Sequence, residues 1–158
     1  LMRRRAALLA RMERIPEAMQ AYLALLDALR ERQDFGLALE ACDEALAIQP
    51  DNLDLLESRF DALNRMGDSA RALEACLALA ERRLDAGQAD LALERFDLAL
   101  RFRPGDPELH LRRAQGAERA GRRGEARQIY QQLINLAPRH AQARGRLQAL
   151  GAIAAATA

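Results

Sequence analysis

Apolar residues recur along this chain at the three-to-four-residue spacing of a helix face, in blocks closed by a proline or a glycine. One block is Leu37-Ala38-Leu39-Glu40 with Asp43, Ala45 and Leu46 before Pro50, and another is Leu91-Ala92-Leu93-Glu94 with Asp97, Ala99 and Leu100 before Pro104. Each reads as one amphipathic helix that ends where proline cannot continue it. The pattern predicts nine helices, near 2–13, 17–32, 34–48, 53–66, 68–86, 88–102, 107–120, 122–136 and 139–150. Turns are expected at Gly67-Asp68, Gly87-Gln88 and Gly121-Arg122.

The two blocks are copies. Sliding the sequence over itself by 54 residues aligns residues 1–50 with 55–104, and 18 of the 50 pairs are identical, so this is a repeat protein. Within the repeat, an alanine is followed four residues on by a larger side chain, then three further by Ala or Leu, and in several cases by a proline. The instances are Ala38, Cys42, Ala45 and Pro50; Ala92, Phe96, Ala99 and Pro104; Ala126, Tyr130, Leu133 and Pro138; and, without the proline, Ala18, Tyr22, Leu25 and Ala72, Cys76, Leu79. Small residues let paired helices approach closely and a bulky one fills the gap behind them.

This pattern resembles the second helix of a tetratricopeptide repeat. The first helices match it weakly, with Leu56, Arg59-Phe60 and Leu63 in one and His110, Arg113-Ala114 and Ala117 in another. The resemblance implies an all-α, right-handed solenoid of helical hairpins over residues 1–150, followed by a tail at 151–158. Starting at Leu1 and ending in that tail, the chain reads as a piece of a longer protein. Repeats of this family are 34 residues long, whereas the period here is 54, so one helix per period is shared. Residues 68–86 match a second helix and also lead into 88–102 as a first helix, which predicts an irregularity there.

Composition narrows the class from another side. Of 158 residues, 34 are alanine and 28 leucine, while valine is absent and threonine occurs once. Strands draw on β-branched and aromatic residues, so this composition leaves an all-α chain. The richness in Ala, Leu and Arg suggests a bacterial source. All 24 basic residues are arginine, set against 23 acidic ones, but residues 105–158 carry 9 Arg against 4 carboxylates. Only that last third could attract an anion through its bulk field. Nothing resembles a signal peptide or a membrane span, and the compartment is not legible.

The residues that usually carry chemistry are sparse. His110 and His140 each lack a cysteine or carboxylate at ligand spacing, and Cys42 and Cys76, 34 residues apart in apolar surroundings, read as two core thiols. Ser58, Ser69 and Thr157 are the only hydroxyls besides the tyrosines, and Ser69 belongs to the turn that opens a helix. No phosphate-binding loop is present, since no strand precedes Gly121 and Gly124 and no Lys-Ser/Thr follows. These features predict neither an enzyme nor a cofactor, metal or small-molecule substrate.

By resemblance, tetratricopeptide arrays bind a peptide or a partner protein along the concave side lined by their first helices. Carried onto this chain, that surface comprises Leu23 and Asp27; Asp54, Glu57, Asp61 and Asn64; Glu74, Leu77 and Glu81; and Glu108, Leu111 and Glu118. It is acidic with leucine anchors, which suits a basic, partly apolar segment. A rival is an anion-binding module, for nucleic acid or an acidic polysaccharide, built from Arg112, Arg113, Arg119, Arg122, Arg123, Arg127, Arg139, Arg144 and Arg146. Nucleic acid is disfavoured, because only Tyr130 is available for stacking and it occupies a core position of the motif. A third reading is a spacer, or a homodimer formed through an uncapped solenoid end near 139–158.

Overall fold

The computed structural model describes residues 1–156, with side chains described through Gly151. Nine helices and no strand occur among the described residues: α1 (Met2–Arg11), α2 (Ile15–Glu31), α3 (Phe35–Leu46), α4 (Leu53–Arg65), α5 (Ser69–Asp85), α6 (Ala89–Phe102), α7 (Pro107–Arg119), α8 (Arg123–Leu136) and α9 (Ala141–Ala156). The chain forms two compact units, one ending at Leu79 and the other starting at Ala80. In the first, α1 packs on α2, α2 on α3 and α3 on α4; in the second, α6 packs on α7, α7 on α8 and α8 on α9. Each helix therefore covers its sequence neighbour, which is how a helical-hairpin solenoid buries apolar faces that no hairpin could bury alone.

The alanine motif forms the centre of these contacts. Ala18, Tyr22 and Leu25 on α2, Ala38, Cys42 and Ala45 on α3, and Ala72, Cys76 and Leu79 on α5 are all buried. So are Ala92, Phe96 and Ala99 on α6, and Ala126, Tyr130 and Leu133 on α8. No polar or charged residue is buried with them among the described residues.

Two kinds of turn join the helices. At α1/α2, α2/α3, α4/α5, α5/α6 and α7/α8 the chain enters the left-handed region for one residue, at Glu13, Gln33, Gly67, Gly87 and Gly121. In each case the next N–H reaches back six residues to a helix carbonyl, as from Asp68 to Leu63 at 3.1 Å and from Gln88 to Arg83 at 2.8 Å. Glu13 and Gln33 stand one 54-residue period before Gly67 and Gly87, so the same turn is built with side chains that disfavour it and then with glycine. The remaining three connections hold Pro50, Pro104 and Pro138. Carboxylate and amide caps start the helices that follow: Asn52 Oδ1 accepts from the Leu55 N–H at 3.2 Å, and Asp106 Oδ1 from the Glu108 N–H at 2.9 Å. At α5 the cap is Asp68, which accepts from the Arg71 N–H at 3.1 Å, and Ser69 is already helical.

Helix ends agree with the pattern to within about a turn except at the C-terminus, where α9 continues through residues 151–156 of the expected tail. A run of alanines after Gly151 keeps helical propensity high, and nothing there breaks it. Ala158 and the Thr157 hydroxyl lie outside the described residues.

Candidate functional site

In the first unit, α2 and α4 meet through Arg30, whose guanidinium lies 3.7 Å from Asp27 and 3.9 Å from Asp61. Asp61 is also 3.5 Å from Arg65, one turn along α4. These are long, solvent-exposed ion pairs worth little to stability, and they exchange readily for other partners. The spacing of Asp54, Glu57, Asp61 and Asn64 sets them along one side of α4; Asp54 and Asn64 are exposed, and Glu57 and Asp61 half-buried. Leu23 is half-buried beside exposed Gln20 and Asp27 on α2. On α5, Glu74 is exposed and Leu77 half-buried. The structure thus joins Asp27 and Asp61 around a single arginine, with Leu23 on the same helix as Asp27.

The second unit treats its carboxylates differently. Glu118 accepts two hydrogen bonds from the Arg146 guanidinium, at 2.8 and 3.0 Å, and a third from the Tyr130 hydroxyl at 2.6 Å. A carboxylate held by a bidentate arginine and a phenol is committed. Burial, and then the bond to Glu118, push the Tyr130 hydroxyl well above its ordinary pKa. Glu81 and Asp85 both bind Arg119, and Glu108 lies 3.3 Å from Arg112. Leu111, expected as an exposed anchor, is only 4% exposed and belongs to the interior, because it shares the inward side of α7 with Ala114 and Ala117.

The arginine-rich third is depleted in the same way. Arg112, Arg113, Arg119, Arg122 and Arg146 all take part in ion pairs, with Glu108, with Asp97 and Glu125, with Glu81 and Asp85, with Asp90 and Glu125, and with Glu118. Arg113 is largely withdrawn from solvent between its two carboxylates. Of the nine arginines, Arg123, Arg127, Arg139 and Arg144 remain exposed without an ion pair among the described residues.

Sequence reasoning missed two constructions. One is the Arg–Glu–Tyr cluster that joins helices distant in sequence. Arg3 binds Glu44 at 2.5 Å and Glu40 at 2.6 Å while the Tyr22 hydroxyl donates to Glu44 at 3.2 Å, and Arg146, Glu118 and Tyr130 form the counterpart. Arg3 lies 41 residues from Glu44, so no local spacing announces the cluster. The other is an ion pair repeated at the 54-residue period, Arg59 with Asp43 at 2.9 Å and Arg113 with Asp97. Its signal was available, since both residues are identical between the aligned copies.

The groups weighed for chemistry have structural employment. His110 Nε2 lies 2.9 Å from the Pro104 carbonyl and donates to it, tying down the α6/α7 turn. Cys42 and Cys76 are buried free thiols, and burial pushes the Cys42 thiol up to about 12. Ser58 Oγ donates to the Asp54 carbonyl at 2.8 Å, one turn back on its own helix. Among the described residues no three His, Cys, Asp or Glu side chains are placed to hold a metal, and no helix is long and apolar enough to cross a membrane.

The fold is tetratricopeptide-like. That statement rests on the chain's own geometry: sequential helical hairpins in which every motif alanine is buried with its bulky companion. No family model matches the chain, and no curated protein does. Among solved structures, MamA aligns at 16% identity over 83% of this chain and 79% of its own, with a TM-score of 0.45. A thermophilic TPR protein in Thermus thermophilus aligns at 18% over 94% and 96%, with a TM-score of 0.44. YrrB, a TPR protein with an unusual peptide-binding site, aligns at 17% over 89% and 87%, with a TM-score of 0.43. At such scores the superpositions are partial and carry no argument about function.

Proposed function

We propose that this chain is a non-catalytic scaffold that holds a basic, partly apolar segment of a partner protein against the acidic side of α2 and α4. The observation that carries the reading is the state of the carboxylates in the first unit. Asp27 and Asp61 contact arginine only at 3.5–3.9 Å, which leaves them available to a partner's guanidinium or ammonium groups. Asp54 and Glu74 add exposed negative charge, and Leu23 and Leu77 add apolar area. Residues 1–79 carry 14 carboxylates against 10 arginines, so the local field favours a cation. In the second unit Glu81, Glu108 and Glu118 are occupied by arginines and contribute less to the same preference. The non-catalytic part is supported by the employment of His110, Cys42 and Ser58 in the interior and in turns.

Charge complementarity of this kind acts mainly on association rate and weakens with salt. Using the chain as bait and then measuring association with the captured partner tests the proposal. Asp27→Asn with Asp61→Asn should slow association several-fold and flatten its salt dependence. If that variant binds unchanged while Arg123→Glu with Arg127→Glu abolishes binding, the exposed arginines of α8 are the working surface and the proposal fails.

A further inference from the structure

Helix α9 is capped by a histidine. The residue before Ala141 is His140, and its Nδ1 accepts a hydrogen bond from the Ala143 backbone N–H at 3.2 Å. A backbone amide can only donate, so Nδ1 must present a lone pair, and the ring is neutral with its proton on Nε2. The caps at α3, α4 and α7 are Asp34, Asn52 and Asp106, side chains whose charge does not change near neutral pH. Imidazole is the group that takes up a proton between pH 8 and 5. Protonation would convert Nδ1 from acceptor to donor, break the bond to Ala143 and set a positive charge at the positive end of the helix dipole.

The surrounding charges oppose a cation there. On its own segment Arg139 precedes it and Arg144 follows one turn later. Helix α8, packed against α9, has no charged residue in its last turn; its Arg123, Glu125 and Arg127 lie in the first turns. From α7 the carboxylate that reaches α9 is Glu118, and Arg146 and Tyr130 already hold it. His140 takes part in no ion pair among the described residues.

We infer that the docking of α9 is a pH-sensitive joint: firm while His140 is neutral, and loosened as the pH falls toward 5. Because Arg146 is part of α9, the same loosening weakens its hold on Glu118 and returns that carboxylate to solvent. The stabilising form is the neutral one, so the contribution is present at and above neutral pH and lost on acidification.

Hydrogen exchange on the full chain, expressed as protection factors so that the intrinsic pH dependence cancels, tests this directly. Protection over residues 141–150 should fall roughly fivefold between pH 7.5 and 5, the factor corresponding to loss of one helix cap. His140→Asn keeps an acceptor that does not titrate and should remove the pH dependence; His140→Asp should do the same. In an NMR titration the Ala143 amide shift should follow the imidazole of His140 with a common midpoint. An Ala143 amide that ignores the imidazole, or a His140→Asn chain whose α9 loses protection with pH as the parent does, overturns the inference.

Discussion

Gly116, in the middle of α7, faces the Phe96 ring on α6. A Cβ placed there would lie 2.8 Å from Phe96 Cε2 and 3.2 Å from Cδ2, with Leu84 Cδ1 at 3.5 Å. Carbon contacts settle at about 3.5–4.0 Å, so the ring would have to retreat by more than about half an ångström. Phe96 is 1% exposed, and its neighbours leave it little room. Overpacking of this kind costs about 1–3 kcal/mol, against about 1 kcal/mol recovered by replacing a helix-interior glycine with alanine. Gly116→Ala should therefore lose about 1 kcal/mol net. Gly145, inside α9, has nothing within 4 Å of the same atom. Gly145→Ala should gain between about 0.5 and 1 kcal/mol from propensity alone. Thermal melts should displace the two variants in opposite directions, by about 2–4 °C per kcal/mol for a chain of this size. The first copy of the repeat supplies a sharper test, because Ala62 and Cys42 stand there in place of Gly116 and Phe96. On a Phe96→Cys background, which opens a cavity beside α7, Gly116→Ala should become stabilising. A Gly116→Ala protein that melts at or above the parent temperature, or a change indifferent to Phe96→Cys, refutes the packing argument.

Ala38→Arg and Ala92→Arg should each cost several kcal/mol by thermal melting, since a charge without a partner would enter a helix contact, whereas Arg101→Gln on the surface should stay within about 0.5 kcal/mol. Gln33→Gly should raise the melting temperature slightly, because Gln33 holds φ at 58° where the next copy of the turn has glycine. The Arg3 guanidinium holds the Glu44 carboxyl below its ordinary range, so that pair stabilises the fold above the unfolded carboxylate pKa and the contribution fades as the pH falls through the folded value. Glu44→Gln should make acid unfolding less steep, by well under about 1 kcal/mol given the solvent exposure of the pair. A peptide ending in Glu-Glu-Val-Asp should not bind through a two-carboxylate clamp, because the chain has no lysine; micromolar affinity in a fluorescence titration would contradict this.

The helices and the motif core were legible because both depend on local spacing: Ala92, Phe96 and Ala99 repeat the register of Ala38, Cys42 and Ala45, and burial follows the register. The turns were legible where glycine marks them and silent where Glu13 and Gln33 adopt the same conformation, since only the 54-residue alignment exposes the equivalence. The candidate surface was legible as a row of carboxylates and illegible in its pairing. Whether Glu118 is available depends on Arg146, 28 residues away on another helix, and whether Leu111 is an anchor depends on which side of α7 the neighbouring helices cover. Neither is a property of local sequence.

The central claim is that α2 and α4 form the working face. Two-dimensional NMR of the labelled chain, titrated with a short amidated peptide alternating arginine and leucine, tests it most directly. The account predicts shift changes concentrated at Leu23, Asp27, Asp54 and Asp61, diminishing as salt is raised. Saturable binding with those residues unmoved, and shifts gathered instead on α8, would contradict it.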